Sequence, residues 1–419
     1  MRWLLTSWGS HGDLHPYLAL GRGLLARGHE VTFAGHPEWQ EAAEIAGLRF
    51  ISTNEVPRED LVAQHPEIFS TKFNGLISLH TLIRGFVVPG LEPMYQTLIR
   101  AARDHDAMLA HHFVFSAPVA AEVAGIPWAT VTLAPNILPT AYSLPGADFG
   151  KIRHGILSRA KNRLLWWCGR HCVSWMVDPH VNRMRKKHDL APIHDAVFGV
   201  HSPYLNLLLY SEHFAPRPPD WSPEKRIAGF CYYDPPGAAL APEIETFLQQ
   251  GEPAVLFTLG STAVQKPGAF FESAVQALET LGLRGILLIG PETNRPARLP
   301  DSILAVSYAS YGLLMPRVRA VAHQCGIGTL SHTLRAGVPS VACPFAFDQP
   351  NNARRLEALG VAEVVLPHQH DARHIGEALN RLLAGDAPAR AQRLGELIRA
   401  EDGVTRACNI LEEVFTPSG

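Results

Sequence analysis

Two rhythms of apolar positions alternate along this chain. Trp3-Leu4-Leu5-Thr6 is a short unbroken apolar run, the form of a parallel strand buried on both faces. A turn at 9–13 follows. Leu14, Leu18 and Leu24-Leu25 then fall on one helical face, which Gly28 ends. The pattern repeats as strands at 30–35, 48–52, 106–110 and 128–134, with helices over 38–46 and around 118–124. It restarts as strands at 254–261, 285–290, 303–307, 320–323 and 340–344, with a helix over 269–278. Strand–helix alternation requires crossovers, so each half predicts a parallel sheet covered on both faces.

The proline-rich stretch FAPRPPDWSPEKR, 214–226, reads as an interdomain linker. The expected organisation is therefore an α/β chain of two doubly wound, Rossmann-like halves. The first spans 1–215 with a helical insertion at about 145–200, the linker 216–236, the second half 237–398, and a last helix 399–419. Ligands of open sheets bind beyond the carboxyl ends of the strands, so a cleft between two such sheets is the expected site.

Segment 151–187 breaks the pattern, with ten Lys/Arg, one acid (Asp178), and Leu164-Leu165-Trp166-Trp167, Trp175 and Met176. It either packs as a helical pair with a solvated basic face or lies on an anionic membrane, and in both cases it can wall a greasy pocket. Over 419 residues the composition is that of a globular chain, 47% hydrophobic and 18% charged. The net charge of −2 provides no field for nucleic acid. Six scattered cysteines form no zinc-site spacing and read as free thiols in a reducing cytosol. No apolar run is long enough to span a bilayer and the first residues do not read as a signal peptide. The expectation is a cytoplasmic protein, either free or peripheral to the membrane.

The chemistry concentrates in HQCGIGTLSHTLRAG, 323–337. A strand ends at His323, Gly326 and Gly328 permit a positive φ and close ligand approach, and a helix begins by Thr329. A strand–glycine turn–helix start offers free N–H groups and a positive dipole end, which with the Thr329 hydroxyl and the His323 ring suit a diphosphate. The turn lacks the Gly-Lys-Ser/Thr of a P-loop and could be purely structural. Asp348-Gln349, in a loop directly after the next strand, add groups suited to sugar hydroxyls, although Asp348 could also cap the helix that follows.

HQCGIGTLSHTLRAGVPSVACPFAFDQPNNARRLEALG resembles the donor signature of GT-B glycosyltransferases of the UDP-glycosyltransferase superfamily. With GSHGDLHPYLALGRGLLARGHEV, NRLLWWC and FTLGST, the likeness is strongest to the rhamnosyltransferases of rhamnolipid synthesis. The resemblance implies the GT-B fold, with an acceptor-binding first domain, a donor-binding second domain and a last helix crossing back. It also implies diphosphate contacts from His323, Gly326, Gly328, Thr329 and Ser261, sugar contacts from Asp348 and Gln349, and a nucleobase packed near Tyr308-Ala309-Ser310. No cofactor or metal is expected beyond a dTDP- or UDP-linked sugar as co-substrate.

Many members of that superfamily carry a histidine where this chain has Asp13. Asp13 is thus the expected general base, unless it only caps its helix. His11 and His15 are the rival bases, histidine having the more natural pKa. His112, after the strand 106–110, takes the place where relatives carry an aspartate, and the resemblance implies that it pairs with Asp13, unless His111-His112 are simply solvent-facing loop histidines. Phe113, Phe115, Leu144, Trp166 and Trp167 are candidates for an apolar acceptor pocket, though all could equally be core. The expected reaction is inverting, metal-independent transfer of a hexose to a hydrophobic alcohol, with dTDP-rhamnose and a hydroxyacyl lipid leading. UDP-glucose with a small aglycone comes second, and a nucleotide-sugar epimerase or a non-catalytic partner subunit are the remaining readings.

Overall fold

The structure is a computed structural model that describes residues 1–53, 80–81, 83–144, 155–199 and 201–416. The first sheet comprises β1 (Arg2–Thr6), β2 (Glu30–Gly35), β3 (Arg49–Ser52), β4 (Ala107–His111), β5 (Trp128–Thr132), β6 (Asn206–Leu208) and β7 (Lys225–Ile227). Its order is β3-β2-β1-β4-β5-β6-β7, and each neighbouring pair is parallel. The second comprises β8 (Val255–Thr258), β9 (Gly285–Leu288), β10 (Ile303–Val306), β11 (Ala320–His323), β12 (Ser340–Ala342) and β13 (Ala362–Val364), in the order β10-β9-β8-β11-β12-β13, also parallel.

Both orders reverse direction once, between β1 and β4 and between β8 and β11. At such a switch point the flanking crossovers leave on opposite faces and open a crevice at the carboxyl ends of the strands. Strand alternation sorts the core to match. Trp3 and Leu5 of β1, with Ala107 and Leu109 of β4, pack beneath helix His11–Ala26, whereas Leu4, Met108 and Ala110 face the other layer with helices Val88–Ala102 and Ser116–Ala124.

The proline-rich stretch is not a free linker. β7 lies within it, hydrogen-bonded to β6, and Phe214 and Trp221 are buried. The chain passes to the second half only after Ile227. Residues 216–224 instead form a loop that serves the first domain, with Asp220 accepting from Thr140 Oγ1 and the Ala141 N–H, both at 2.7 Å. Of segment 151–187, residues 151–154 lie outside the described residues, and Ile156–Lys187 is one 32-residue helix and not a helical pair.

Helix Gly403–Phe415 returns to the first domain and packs on helix His11–Ala26. Phe415 meets Trp3 edge-on with ring centres 5.7 Å apart, and Glu412 pairs with Arg27 at 2.6 Å and with His29 at 3.0 Å. No helix among the described residues is long and apolar enough to cross a membrane.

Candidate active site

The carboxyl ends of β8 and β11 form the donor-side wall. β8 runs into Gly260, which has φ +62°, and into a single helical turn, Gly260–Ala263, that carries Ser261. β11 ends at His323, and helix Ile327–Ala336 starts after Gly326, two residues earlier than the sequence implied. The left-handed residue of the turn is Cys325, φ +66°, and not Gly326, whose φ is −60°. The glycines are required for space. A Cβ on Gly328 would lie 3.1 Å from Gly12 Cα, and one on Gly260 only 2.3 Å from Gln324 Nε2.

His323 does not present its ring to this wall. It is fully buried, its Nδ1 accepts the Cys325 N–H at 3.1 Å, and its Nε2 lies 3.1 Å from Ser340 Oγ. Burial pushes its pKa down to about 3, so the ring is neutral. His323 therefore braces the strained turn instead of meeting a diphosphate. The side chain lying over the helix start is Gln324, whose Nε2 donates to Thr329 Oγ1 at 3.3 Å and whose buried Oε1 has no partner. Sequence reasoning passed over Gln324, because its neighbour carried the expected imidazole. Beneath Thr329 the hydroxyls of Tyr311 and Thr258 meet at 2.8 Å.

Asp348 and Gln349 follow β12 after Phe347, which holds φ +59°. Gln349 Oε1 accepts the N–H groups of Phe345 (2.8 Å) and Ala346 (3.0 Å), which leaves its Nε2 as the group for a ligand. Asn352, another residue the sequence did not single out, ties the two motifs together. Its Nδ2 donates to Cys325 O at 2.9 Å and to Asp348 Oδ2 at 2.6 Å. Burial first, and the Asp13 charge to a lesser degree, push the Asp348 carboxyl up to about 6 against the pull of Asn352. Tyr308 is exposed on the loop after β10, two strand spacings or about 10 Å from the end of β8, a span that suits a nucleoside.

The facing wall is the N-terminus of helix His11–Ala26. Asp13 is its third residue and closes a capping box, Oδ2 accepting from the Ser10 N–H (2.6 Å) and Ser10 Oγ (3.0 Å). Asp13 thus does cap its helix, but with one oxygen. Oδ1 faces His111, whose Nε2 is 3.6 Å away and has no hydrogen-bond partner. The expected partner, His112, does not reach it. Ala107 and Leu109 pack under helix His11–Ala26, where the His111 ring lies 6.5 Å from that of Tyr17, and the His112 ring sits past the strand end, 4.1 Å from that of His111. There its ring lies 4.2 Å from Phe113, centre to centre. Burial lowers the His111 pKa while the Asp13 charge opposes the shift, and its Nδ1 accepts the Phe113 N–H at 3.5 Å. His15 packs on Tyr233 at a ring distance of 5.9 Å, and burial pushes its pKa down to about 4, with the His11 charge adding to it. His11 stands exposed at the helix start, 5.9 Å from the His15 ring.

The apolar candidates divide. Phe113 borders both the core and the cleft layer and meets Trp8 edge-on at 6.3 Å, so Trp8, in the loop after β1, belongs to the same wall. Phe115 is core, and Trp166 is buried, with its indole N–H on Ser143 O at 2.9 Å. Trp167 points to solvent and not into the pocket. Leu144 is half-buried beside Ser143, whose hydroxyl receives Arg355 of the second domain at 3.3 Å.

The two walls meet. With Gly12 Cα and Gly328 almost in contact, both helix N-termini converge on one gap, bordered by Asp13 on one side and by Asp348 and Gln349 on the other. Two positive dipole ends, hydroxyl-binding groups and a carboxylate able to take a proton are the elements needed to move a sugar from an anionic leaving group to an alcohol.

Comparison with known proteins agrees. Residues 3–143 match the glycosyltransferase family 28 N-terminal domain, and residues 286–411 match the erythromycin biosynthesis protein CIII-like C-terminal domain. The chain is 35% identical to O-mycaminosyltylonolide 6-deoxyallosyltransferase of Streptomyces fradiae, over 99% of this chain and 97% of that one. It is 25% identical to sterol 3-beta-glucosyltransferase UGT80B1 of Arabidopsis thaliana, over 98% of this chain and 67% of that one. Spinosyn rhamnosyltransferase SpnG, solved with thymidine diphosphate, superposes with a TM-score of 0.70 at 19% identity, covering 98% of this chain and 100% of its own. The relative at 35% identity is a macrolide glycosyltransferase, not an enzyme of rhamnolipid synthesis. With its two facing parallel sheets and a donor signature along the gap between them, the chain belongs to the GT-B glycosyltransferases of the family 28/EryCIII-like type and is a nucleotide-sugar glycosyltransferase.

Proposed function

We propose that this enzyme transfers a deoxyhexose from a thymidine diphosphate sugar, with inversion, to a hydroxyl of a large apolar alcohol such as a macrolactone or a sterol. The observation that carries the reading is the convergence of the two helix N-termini at Gly12 and Gly328 with Asp13 beside them. The acceptor O–H gives its proton to Asp13, and the oxygen attacks the anomeric carbon. The bond from that carbon to the diphosphate oxygen breaks, and the electron pair leaves with the diphosphate. The N–H groups opening helix Ile327–Ala336 and the Gln324 amide receive the charge that develops there. His111, its Nε2 3.6 Å from Oδ1, is the imidazole that faces the Asp13 carboxylate. Base and leaving group on opposite lips of the gap favour in-line displacement, and hence inversion. The sugar and nucleotide follow the names of the 35% identical relative and of the thymidine diphosphate complex, and the acceptor class follows the tylonolide and sterol relatives. We therefore put a fused-ring or macrocyclic alcohol ahead of a hydroxyacyl lipid.

The test is a donor panel (dTDP-rhamnose, UDP-glucose, UDP-galactose, UDP-N-acetylglucosamine) crossed with macrolactone, sterol, flavonoid and hydroxyacyl acceptors, read by mass spectrometry. The expected result is a glycosylated macrolactone or sterol with the thymidine donor. Isomerised nucleotide sugar without an acceptor, or nucleotide binding with no transfer to any alcohol, would refute the reading.

Asp348 gives the donor step a pH dependence. Below about 6 its carboxyl is protonated and above it ionised, and the ionised form is the stronger acceptor for sugar hydroxyls. The donor KM should therefore fall as pH rises through 6. Asp348→Asn should abolish that slope and raise KM roughly 10- to 100-fold at pH 7.5, the loss of one charged hydrogen bond. The sign for stability is opposite. The folded value lies above the usual value near 4, so the folded state holds the extra proton between about 4 and 6, and this group's contribution declines as pH rises across that window.

A further inference from the structure

Helix Ile156–Lys187 is apolar on two opposite faces. Trp166, Val173, Val177, Val181 and Met184 are buried against the first domain. Half a turn away, Leu157, Leu164, Trp167 and Trp175 are exposed, at 87%, 60%, 58% and 78% of their surface. These four follow the 3.6-residue period and make one stripe about 27 Å long. Such a stripe of large side chains is not what an aqueous surface selects.

The charges beside it say what it meets. Lys161 and Arg163 are exposed along the stripe, and neither makes an ion pair among the described residues. The only acid of the helix, Asp178, is buried on the other side, accepting the N–H groups of Asp195 (2.7 Å) and Ala196 (2.9 Å). The outward face therefore carries cations and no anion. A second copy docking on it would oppose like charges, whereas an anionic lipid surface satisfies the cations and takes the leucines and indoles at headgroup depth.

We infer that the outward face of helix Ile156–Lys187 is an interfacial docking surface for an anionic bilayer, with Leu157, Leu164, Trp167 and Trp175 inserted and Lys161 and Arg163 on the headgroups. Its position gives the contact a use. Trp166 holds Ser143 O and Arg159 holds the Tyr142 hydroxyl, while Arg355 of the donor domain reaches Ser143. The docked face thus backs directly onto the loop at the cleft, so an apolar acceptor dissolved in the bilayer has a short route in. The inference stands whichever acceptor the cleft takes.

The test is co-sedimentation of the full chain with vesicles of phosphatidylcholine and phosphatidylglycerol in equal parts, against pure phosphatidylcholine. In parallel, an environment-sensitive nitrobenzoxadiazole label is attached at Cys168 and Cys172, the two exposed cysteines among six. The expected result is binding to the anionic vesicles alone, weakened by salt, with a blue-shifted, brighter label. K161Q/R163Q should lower partitioning roughly 30-fold, two cations lost at about 1 kcal/mol each near such a surface. L164Q/W167Q/W175Q should lower it more than about tenfold. Both variants alter exposed side chains, so melting temperature and turnover of a water-soluble acceptor should stay unchanged. The inference is overturned by absence of sedimentation with anionic vesicles, equal binding to neutral ones, binding that neither variant weakens, an unchanged label, or a dimer that only the tryptophan variant disrupts.

Discussion

Replacing Asp13 by asparagine is expected to lower kcat about a thousandfold, the usual scale for losing a general base, while the donor KM changes by no more than a few-fold. The substitution separates the capping role seen in the structure from the general-base role proposed for this side chain. As part of the capping box, Asp13 accepts from the Ser10 N–H and hydroxyl through Oδ2. An asparagine carbonyl can still accept there, so helix His11–Ala26 should lose less than about 1 kcal/mol. As the proton acceptor beside His111, the side chain needs the carboxylate, and asparagine cannot replace it. A variant that folds like the parent, binds nucleotide and fails in transfer assigns Asp13 to the chemistry. Near-normal kcat in that variant would return the assignment to His11 or His15. His15 is the weaker of these, because burial already holds its pKa near 4 and its ring is packed on Tyr233.

Gly403→Ala should cost the molecule about 3 kcal/mol, more than any exposed substitution, and should show as an earlier midpoint in urea unfolding. Gly403 begins the helix that returns to the first domain, and the chain there presses on the segment leaving it. An added Cβ would sit 2.3 Å from Phe230 O, 2.8 Å from Phe230 C and 2.9 Å from Gly229 C. These are backbone atoms, which no rotamer change can move aside. Either the seam opens or helix Gly403–Phe415 shifts along helix His11–Ala26, straining Glu412 against Arg27 and His29. Gly28→Ala is the fitting control, since a Cβ there meets nothing within 4 Å, although its φ of +82° carries the ordinary left-handed penalty.

The sheet strands were readable in the sequence to within a residue or two where the apolar run was long. Trp3–Thr6, 30–35, 285–290 and 320–323 are buried on both faces over most of their length and therefore mostly apolar. β6, β7 and β13 have three residues each, too short for a period, and β7 is masked by the prolines before it. The single 32-residue helix was obscured because residues on its buried and exposed sides are both apolar, which cancels the usual one-sided signal. At the site, the motifs were visible and their wiring was not. Which of His111 and His112 meets Asp13 depends on where β4 ends and which layer covers each face, a property of the assembled sheet. The glycines of the 323–329 turn read as residues freeing φ, but Cys325 takes the positive angle and the glycines make room for Gln324 and for the other domain. Trp8 had no local signal because it meets Phe113 of a distant strand end, and Asn352 drew none because its bridge to Cys325 appears only when the two loops are brought together.

The near-contact of Gly12 and Gly328 has a mechanical consequence. Two helices presenting the same electrical pole to one another repel, and little side-chain padding separates them. A diphosphate bound beside that pair and facing both poles, as proposed above, is expected to offset the repulsion. Emptying that position should restore the repulsion, so the nucleotide-free enzyme is expected to part at this seam more readily than the loaded one.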